Sequence, residues 1–332
     1  MNRQILIASL PNGVLAATDF ELRDAPIPEP GDREVLCRTL AITIGAGQRA
    51  GLQGSASYAG APTTGVVMSG TGVARVEASN DPAFAPGDVV VTTTGWQDYS
   101  VHAAPSLTRV ADDGDPALHL GALGTNGLTA YFGLFDVGRP QAGETVVVSA
   151  ASGSVGHLVG QLARLTGCRV VGVAGSDEKC TVLTERLGFD VAVNHRDPAF
   201  RDAFKAATVE GIDVYFDNTG GDILGAALRR MRPHGRIVCC GVVSQYDTAD
   251  PAPGPRGIPG LLINNRVRME GFLVFDHAAR YDDARQQMRA WIDAGELVAL
   301  VDEWSGLETA PAAFVDLLAG GNVGTRIVRI AD

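Results

Sequence analysis

Residues Ser149 to Leu165 read SAASGSVGHLVGQLARL, and the fold depends on what this run of small residues is for. It follows the apolar, β-branched segment TVVV at 145–148, which reads as a buried strand. Ala150, Gly153 and Gly156 then stand in AxxGxxG spacing, close to the GxGxxG fingerprint. Val155, Leu158, Val159, Leu162 and Ala163 recur at i, i+3, i+4, i+7 and i+8, the stripe of an amphipathic helix. Strand, glycine turn and helix in that order are what a phosphate cradle requires. The glycines let backbone amides approach a pyrophosphate, and the helix N-terminus adds partial positive charge. The strand and helix on either side favour the cradle; the alternative is a plainer use of the same glycines, packing a helix closely on a strand.

Outward from this stretch, residues from about 142 to 294 alternate β-rich runs with helical patterns of ~10 to 15 residues, the signature of βαβ units and a parallel sheet. The strand candidates are ETVVVSA, CRVVGVAG, DVAVN, IDVYFDN, GRIVCCG and VRMEGFLVF. Six strands with intervening helices predict a doubly wound dinucleotide-binding sheet. Residues 1–125 differ: short strand-like segments such as REVLCRTLAITI, GTGVARVEA and GDVVVTTTGWQDYSVH are separated by Pro and Gly turns, which predicts a mostly antiparallel β-rich domain. The tail ends in the strand-like TRIVRI and is expected to rejoin that first domain. The expected division is therefore 1–125, a Rossmann domain at 126–300, and a returning segment at 301–332. No solenoid repeat is visible.

The end of the second dinucleotide strand separates NAD from NADP sites. An NAD site ordinarily places Asp or Glu there to accept the ribose hydroxyls. In VVGVAGSDEK the strand ends instead in Gly175 and Ser176, with Lys179 one turn on. Gly175 leaves room for a 2'-phosphate, Ser176 can donate to it and Lys179 can neutralise it, so NADPH is the expected cofactor. Asp177 and Glu178 read as first-turn acids facing the helix dipole. The alternatives are that Ser176 is an N-cap and Lys179 a solvated charge. His195 and Arg196 after the third strand either extend the basic pocket or form a solvated turn.

The composition limits the function classes. The 332 residues are 45% hydrophobic and 20% charged, as in a soluble globular chain of two domains. A formal net charge of -11 provides no overall basic field for nucleic acid or anionic lipid. The expected partners are a small molecule and a second copy of the chain. No stretch approaches 18 uninterrupted apolar residues, and the N-terminus lacks a signal-peptide pattern, so a cytoplasmic location is expected. Five cysteines without CxxC spacing argue against a disulfide framework and a zinc ribbon. Cys239 and Cys240 read as neighbours on opposite faces of a buried strand.

Together these pieces resemble the zinc-independent branch of the medium-chain dehydrogenase/reductase superfamily, and within it the prostaglandin reductases, plant alkenal double-bond reductases and bacterial curcumin reductases. The likeness runs through ELRDAPIPEPGDREVL, GLTAYFGLFDVGRPQAGETVVVSAASGSVG, GSDEKCTVLTERLGFD, YFDNTGG, GRIVCCGVVSQY, RMEGFLV and the terminal GGNVGTRIV. The resemblance implies an α/β architecture, a GroES-like β-rich domain plus a Rossmann domain with a doubly wound, parallel six-stranded sheet. It also implies a homodimer and NADPH held in the cleft between the domains. Carried over, the phosphate turn is Gly153, Ser154, Val155 and Gly156, and the 2'-phosphate ligands are Ser176 and Lys179. The resemblance further implies that Asn218 bonds the cofactor and that Cys240, Gly241, Val242, Val243, Ser244, Gln245 and Tyr246 flank the nicotinamide half. Phe272, Leu273, Val274 and Asn322 complete that site, and Thr129 stands near the nicotinamide. Asn218 and Asn322 are also readable as turn residues beside glycines.

The chain departs from the family pattern in three places. Gly45, Ala46, Gly47 and Gln48 stand ahead of Arg49 where relatives commonly carry Asp-Pro-Tyr-Met. Thr125 and Asn126 replace a Met-Pro pair, and His195 replaces a tyrosine that contacts the 2'-phosphate. Gly47, Gln48, Thr125 and Asn126 are therefore the expected determinants of the substrate pocket.

The six histidines and five cysteines form no zinc constellation in sequence, so no metal is expected. Without a Lewis acid an isolated ketone lacks an evident electrophile. A conjugated enone or enal is the easier substrate, because hydride adds at the β-carbon while the carbonyl oxygen takes charge as an enolate. One hydrogen-bond donor then suffices. Tyr246, beyond the fifth strand, is the candidate donor, a phenol with an unperturbed pKa near ~10, although a loop tyrosine is often mere packing. The segment ADPAPGPRGIPG after it reads either as a loop covering the pocket or as an ordinary connection. An NADPH-dependent quinone oxidoreductase and a non-catalytic NADPH-binding redox sensor are the rival functions.

Overall fold

The β-branched runs form strands that sort into two compact units. The computed structural model describes residues 1–55, 60–112, 115–251 and 253–331. The first unit contains Met1–Gly124, Asp247–Ala249 and Val301–Asp332, and the second contains Thr125–Tyr246 and Asp250–Leu300. Asp247–Ala249 thus join the first unit although both chain neighbours belong to the second.

In the first unit, β1 (Asn2–Ile7) and β2 (Phe20–Ala25) form an antiparallel pair. A seven-stranded sheet is built on the long β3 (Glu34–Ile44), with β4 (Gly72–Ser79), β5 (Val89–Thr92), β6 (Tyr99–Ala103) and β7 (Thr108–Arg109). The run expected as one strand at 87–102 is divided between β5 and β6, with a turn at Gly95 in left-handed backbone (φ 67°). The core beside this sheet holds Trp96, fully buried, with its ring 5.3 Å from Phe20 and 5.9 Å from Phe314.

The second unit carries β8 (Thr145–Val148), β9 (Arg169–Ala174), β10 (Val191–Asn194), β11 (Ile212–Asp217), β12 (Met231–Cys239) and β13 (Arg268–Gly271). All pair in parallel in the order β10-β9-β8-β11-β12-β13. Strand order reverses between β8 and β11, which is where open α/β sheets bind ligands. Valine supplies much of the interior, with Val146, Val147, Val148, Val170, Val171 and Val173 fully buried. The strand expected through VRMEGFLVF stops at Gly271. Phe272 and Leu273 leave the sheet, and Val274–Arg280 coils into a 3-10 turn closed by the Tyr281 hydroxyl donating to the Val274 carbonyl at 3.0 Å.

Back in the first unit, β14 (Val301–Ser305) runs parallel to β15 (Thr325–Arg329), and β15 pairs antiparallel with β3, setting Arg326 opposite Ile44. Arg326 is buried with Asp302 and Asp316 as counter-ions and Ala313 as a carbonyl partner, so its charge is balanced on both sides.

The helix Gly156–Leu165 differs from the amphipathic expectation. Leu158, Val159, Leu162 and Ala163 are fully buried, but His157 and Gln161 on another face are buried too, because each finds backbone partners.

Candidate cofactor site

The turn after β8 assigns different tasks to its two glycines. A Cβ on Gly156 would lie 2.3 Å from the Ala150 carbonyl oxygen and 2.8 Å from Ala151 Cα, so Gly156 serves close packing of the helix on the turn. A Cβ on Gly153 would meet only the Ala150 oxygen, at 3.3 Å, so that face is otherwise open. Ala150 holds φ 46°, a left-handed conformation favouring glycine, where the fingerprint has its first glycine. Ser154 and Val155 are half-buried. The turn therefore both packs and leaves room at Gly153 for an incoming group.

At the end of β9 the basic residues converge. A Cβ on Gly175 would lie 3.5 Å from His195 Nε2 and 3.6 Å from Arg196 Nε. Any larger residue would fill this space beside two basic side chains. The imidazole of His195 is held below its ordinary pKa by desolvation, then by the charges of Arg196 and Lys179. Ser176 is an N-cap as well: its Oγ accepts the Lys179 amide at 3.3 Å. The same hydroxyl bonds the Glu178 carboxylate and, with a backbone bond, draws its pKa down. Asp177 accepts a bond from the Asn194 amide at 2.9 Å.

The loop after β11 is organised by Asp217, a buried carboxylate. Its Oδ1 accepts from the Tyr215 hydroxyl at 2.9 Å, the Gly220 amide at 2.9 Å, the Thr219 amide at 3.0 Å and the Ser149 hydroxyl at 3.2 Å. Asn218 Nδ2 donates to the Ser149 carbonyl at 2.7 Å and its own amide donates to Ser149 Oγ at 2.9 Å. Asn218 is not left-handed; Gly220 (φ 67°) and Gly221 (φ 56°) make that turn. Its amide group ties the two central strand ends together.

Residues 240–246 wrap this loop. Cys240 and Gly241 amides donate to the Asp217 carbonyl, Val243 to that of Asn218, and Ser244 to that of Thr219 through both amide and hydroxyl. β12 ends at Cys239, so Cys240 lies beyond the strand rather than on its opposite face. Tyr246 follows the short turn Val243–Gln245 and its hydroxyl oxygen accepts the Val242 amide at 3.3 Å. In the following segment, Ala252 lies outside the described residues.

The other expected positions are dispersed. Thr129 lies in the helix Thr125–Phe132, where its hydroxyl donates to the Thr125 carbonyl at 2.7 Å. Thr125 and Asn126 open that helix. Phe272 packs its ring over Gly133, Leu273 is exposed and Val274 buried. In the first unit, Asn322 bonds the Gly324 carbonyl at 2.9 Å. Gly47 and Gln48 lie in the helix Ala46–Gln53, and Gln48 works as a cap: Oε1 accepts the Gly45 amide at 2.9 Å and Nε2 donates to the Ser69 carbonyl at 2.7 Å.

Sequence reasoning missed three groups of structural participants. Ser149 and Asp217 form the network just described. Arg49 is buried, with Nε donating to Asp247 at 3.0 Å and Nη2 to the Gly13 carbonyl at 2.5 Å; Asp247 also accepts the Leu15 amide at 2.7 Å. A detectable signal existed for the third group, His157 and Gln161, since two polar residues four apart inside an apolar helix share a face.

All five thiols are unpaired and all are pushed above the ordinary cysteine range. Burial takes Cys37 to about 12, and burial with the Asp217 charge takes Cys239 to about 11 and Cys240 to about 12. Cys168 and Cys180 are raised by burial as well. Among the described residues no group of three or more His, Cys, Asp or Glu is placed to hold a metal ion, and no helix is long and apolar enough to cross a membrane.

Comparison with known proteins agrees with this architecture. Residues 3–110 match a family described as an N-terminal domain of oxidoreductase, and residues 154–293 one described as zinc-binding dehydrogenase. The NADPH-dependent curcumin reductase of Escherichia coli is 38% identical, covering 99% of this chain and 97% of its own. The NADP(+)-dependent 2-alkenal reductase of Nicotiana tabacum is 39% identical over 99% of this chain and 98% of its own. CurA of Vibrio vulnificus, solved in complex with NADPH, superposes with a TM-score of 0.95 at 37% identity and 99% coverage of both chains. A β-rich unit with a parallel six-stranded dinucleotide-type sheet defines a medium-chain dehydrogenase/reductase. Within that superfamily the chain belongs to the family of curcumin, alkenal and prostaglandin reductases.

Proposed function

We propose that this chain is an NADPH-dependent reductase of the C=C bond of α,β-unsaturated ketones and aldehydes. The observation that carries the reading is the space at Gly175 with His195 and Arg196 beside it. That arrangement suits a 2'-phosphate and lacks the carboxylate of an NAD site at the strand end. Ser176 and Lys179 would bind the same phosphate. The amides of Ser154, Val155 and Gly156, at the start of the helix Gly156–Leu165, would hold the pyrophosphate, and Gly153, whose own amide donates to the Ala150 carbonyl at 3.0 Å, would leave room for it. Asn218, the segment Cys240–Tyr246, Phe272 to Val274, Thr129 and Asn322 are proposed contacts of the remaining cofactor. When bound, NADPH supplies the hydride that an enone accepts at its β-carbon.

The protein's part is to bind, orient and stabilise charge. Tyr246 donates its hydroxyl proton in a hydrogen bond to the substrate carbonyl oxygen, where negative charge develops, and the α-carbon is protonated from solvent or from the same hydroxyl. The bond from the Val242 amide to Tyr246 Oη fixes the direction of the phenol. Gly47, Gln48, Thr125 and Asn126 set substrate choice, Gln48 through the shape of its capped helix. The functional form is proposed to be a cytoplasmic homodimer.

The test is incubation with NADPH and a panel of enones, enals and quinones, with products identified. Saturated carbonyls are expected; alcohols or hydroquinones would refute C=C reduction, and NADPH binding without turnover would mark a sensor. Tyr246→Phe should lower kcat on enones ~10-fold or more with KM for NADPH unchanged.

A further inference from the structure

The imidazole of His157 is fully buried one residue into the helix that follows the phosphate turn. Nε2 accepts the Leu300 backbone amide at 3.1 Å. An amide nitrogen only donates, so Nε2 is unprotonated and the ring proton is on Nδ1. Nδ1 lies 2.8 Å from the Gly153 carbonyl oxygen and donates to it. Gln161, one turn further, donates to the Val298 carbonyl at 3.0 Å and accepts the Val298 amide at 2.8 Å. The two side chains clamp the segment Val298–Leu300 against the helix, and His157 extends that clamp into the turn.

Peptide planarity gives the clamp a further effect. In a trans peptide the carbonyl and the N–H of the next residue point in opposite directions. Fixing the Gly153 carbonyl therefore fixes the Ser154 N–H, one of the two middle amides of the GSVG turn. The donor on that carbonyl also polarises the peptide, strengthening the amide as a donor.

We infer that His157 is a positioning residue for the cofactor's pyrophosphate: it holds the Gly153 carbonyl turned inward so that the Ser154 amide faces the phosphate oxygens. The inference rests on the proposed role of the turn. It assigns to the neutral Nδ1–H tautomer, and to the Leu300 amide that selects it, control of affinity for the dinucleotide.

The experiment measures binding of NADPH and of adenosine 2'-monophosphate, which lacks the pyrophosphate, to the full-length chain without substrate. His157→Leu should weaken NADPH ~10-fold while 2'-AMP stays within about twofold. His157→Gln, whose carboxamide can both donate and accept, should recover most of the loss. Unchanged NADPH affinity in folded His157→Leu, or equal weakening of both ligands, would overturn the inference. Gly153→Val tests the turn itself: if it leaves NADPH affinity intact, the turn reading fails. If it weakens NADPH while His157→Leu does not, only the role of His157 fails. Should His157→Leu not fold, the His157 ring nitrogen signals of the native chain decide: they should shift with NADPH and not with 2'-AMP, and no shift refutes the role.

Discussion

Phe189 occupies the place where residue 160 would carry a side chain: a Cβ on Gly160 would stand 1.9 Å from ring Cζ. The same ring lies 2.9 Å from where Gly172 would carry its Cβ, so helix and strand close on one phenyl group. Gly160→Ala should destabilise the fold by about 1–3 kcal/mol through overpacking, read as a lower urea midpoint. Adding Phe189→Leu should recover part of that loss, giving a coupling that additive sites would not show.

Ala150 at φ 46° gives an opposite prediction. A left-handed alanine is strained by about 1–2 kcal/mol, whereas glycine's extra unfolded-state freedom costs about 0.4–1 kcal/mol. Ala150→Gly should therefore raise stability by up to about 1 kcal/mol, and Ala150→Val should lower it, in the same denaturation assay.

Acid should act on His157. Burial lowers its pKa from 6.5 to about 4, against the raising effect of its bonds to Gly153 and Ser154. The unfolded chain therefore takes up this proton first as pH falls, so the stabilisation is complete above 6.5 and is lost between 6.5 and about 4. Relative to His157→Gln, the native chain should lose about 2 kcal/mol of stability between pH 7.5 and 5. A constant difference between the two proteins across that range would contradict the assignment.

Glu178 shares the Ser176 hydroxyl with the proposed 2'-phosphate, and it is a negative charge beside that phosphate. Glu178→Gln should tighten NADPH several-fold and leave NADH unchanged, whereas Lys179→Ala should weaken NADPH far more than NADH. Titration of each variant with both dinucleotides measures the two ratios, and equal loss of NADPH and NADH in Lys179→Ala would remove that lysine from the site.

The parallel sheet was legible because its strands are runs of β-branched residues between glycine turns, a local signal. The cluster around Gly175 was legible for the same reason, since β9 and β10 end beside each other in a parallel sheet and bring GSDEK to His195 and Arg196. What escaped the sequence was contact at long separation. Val298 and Leu300 are about 140 residues from the helix whose polar face they satisfy, and nothing local in His157 names that partner. Asp217 and Ser149 meet only because β8 and β11 are neighbours, and nothing local to Gln48 names Ser69 as the acceptor of its amide. The overlong VRMEGFLVF strand had a local cause: its apolar run continues past Gly271, but Phe272 packs on Gly133 instead of extending the sheet.

The raised thiols have a chemical consequence. Enones and enals are soft electrophiles, and the nucleophile they capture in proteins is the thiolate. With all five cysteines held in the protonated form by burial, the chain offers its proposed substrates almost no sulfur anion at neutral pH. A catalyst that collects such compounds is thereby spared alkylation by them, and Cys239 and Cys240 can stand beside Asp217 at the end of β12 without becoming a suicide site.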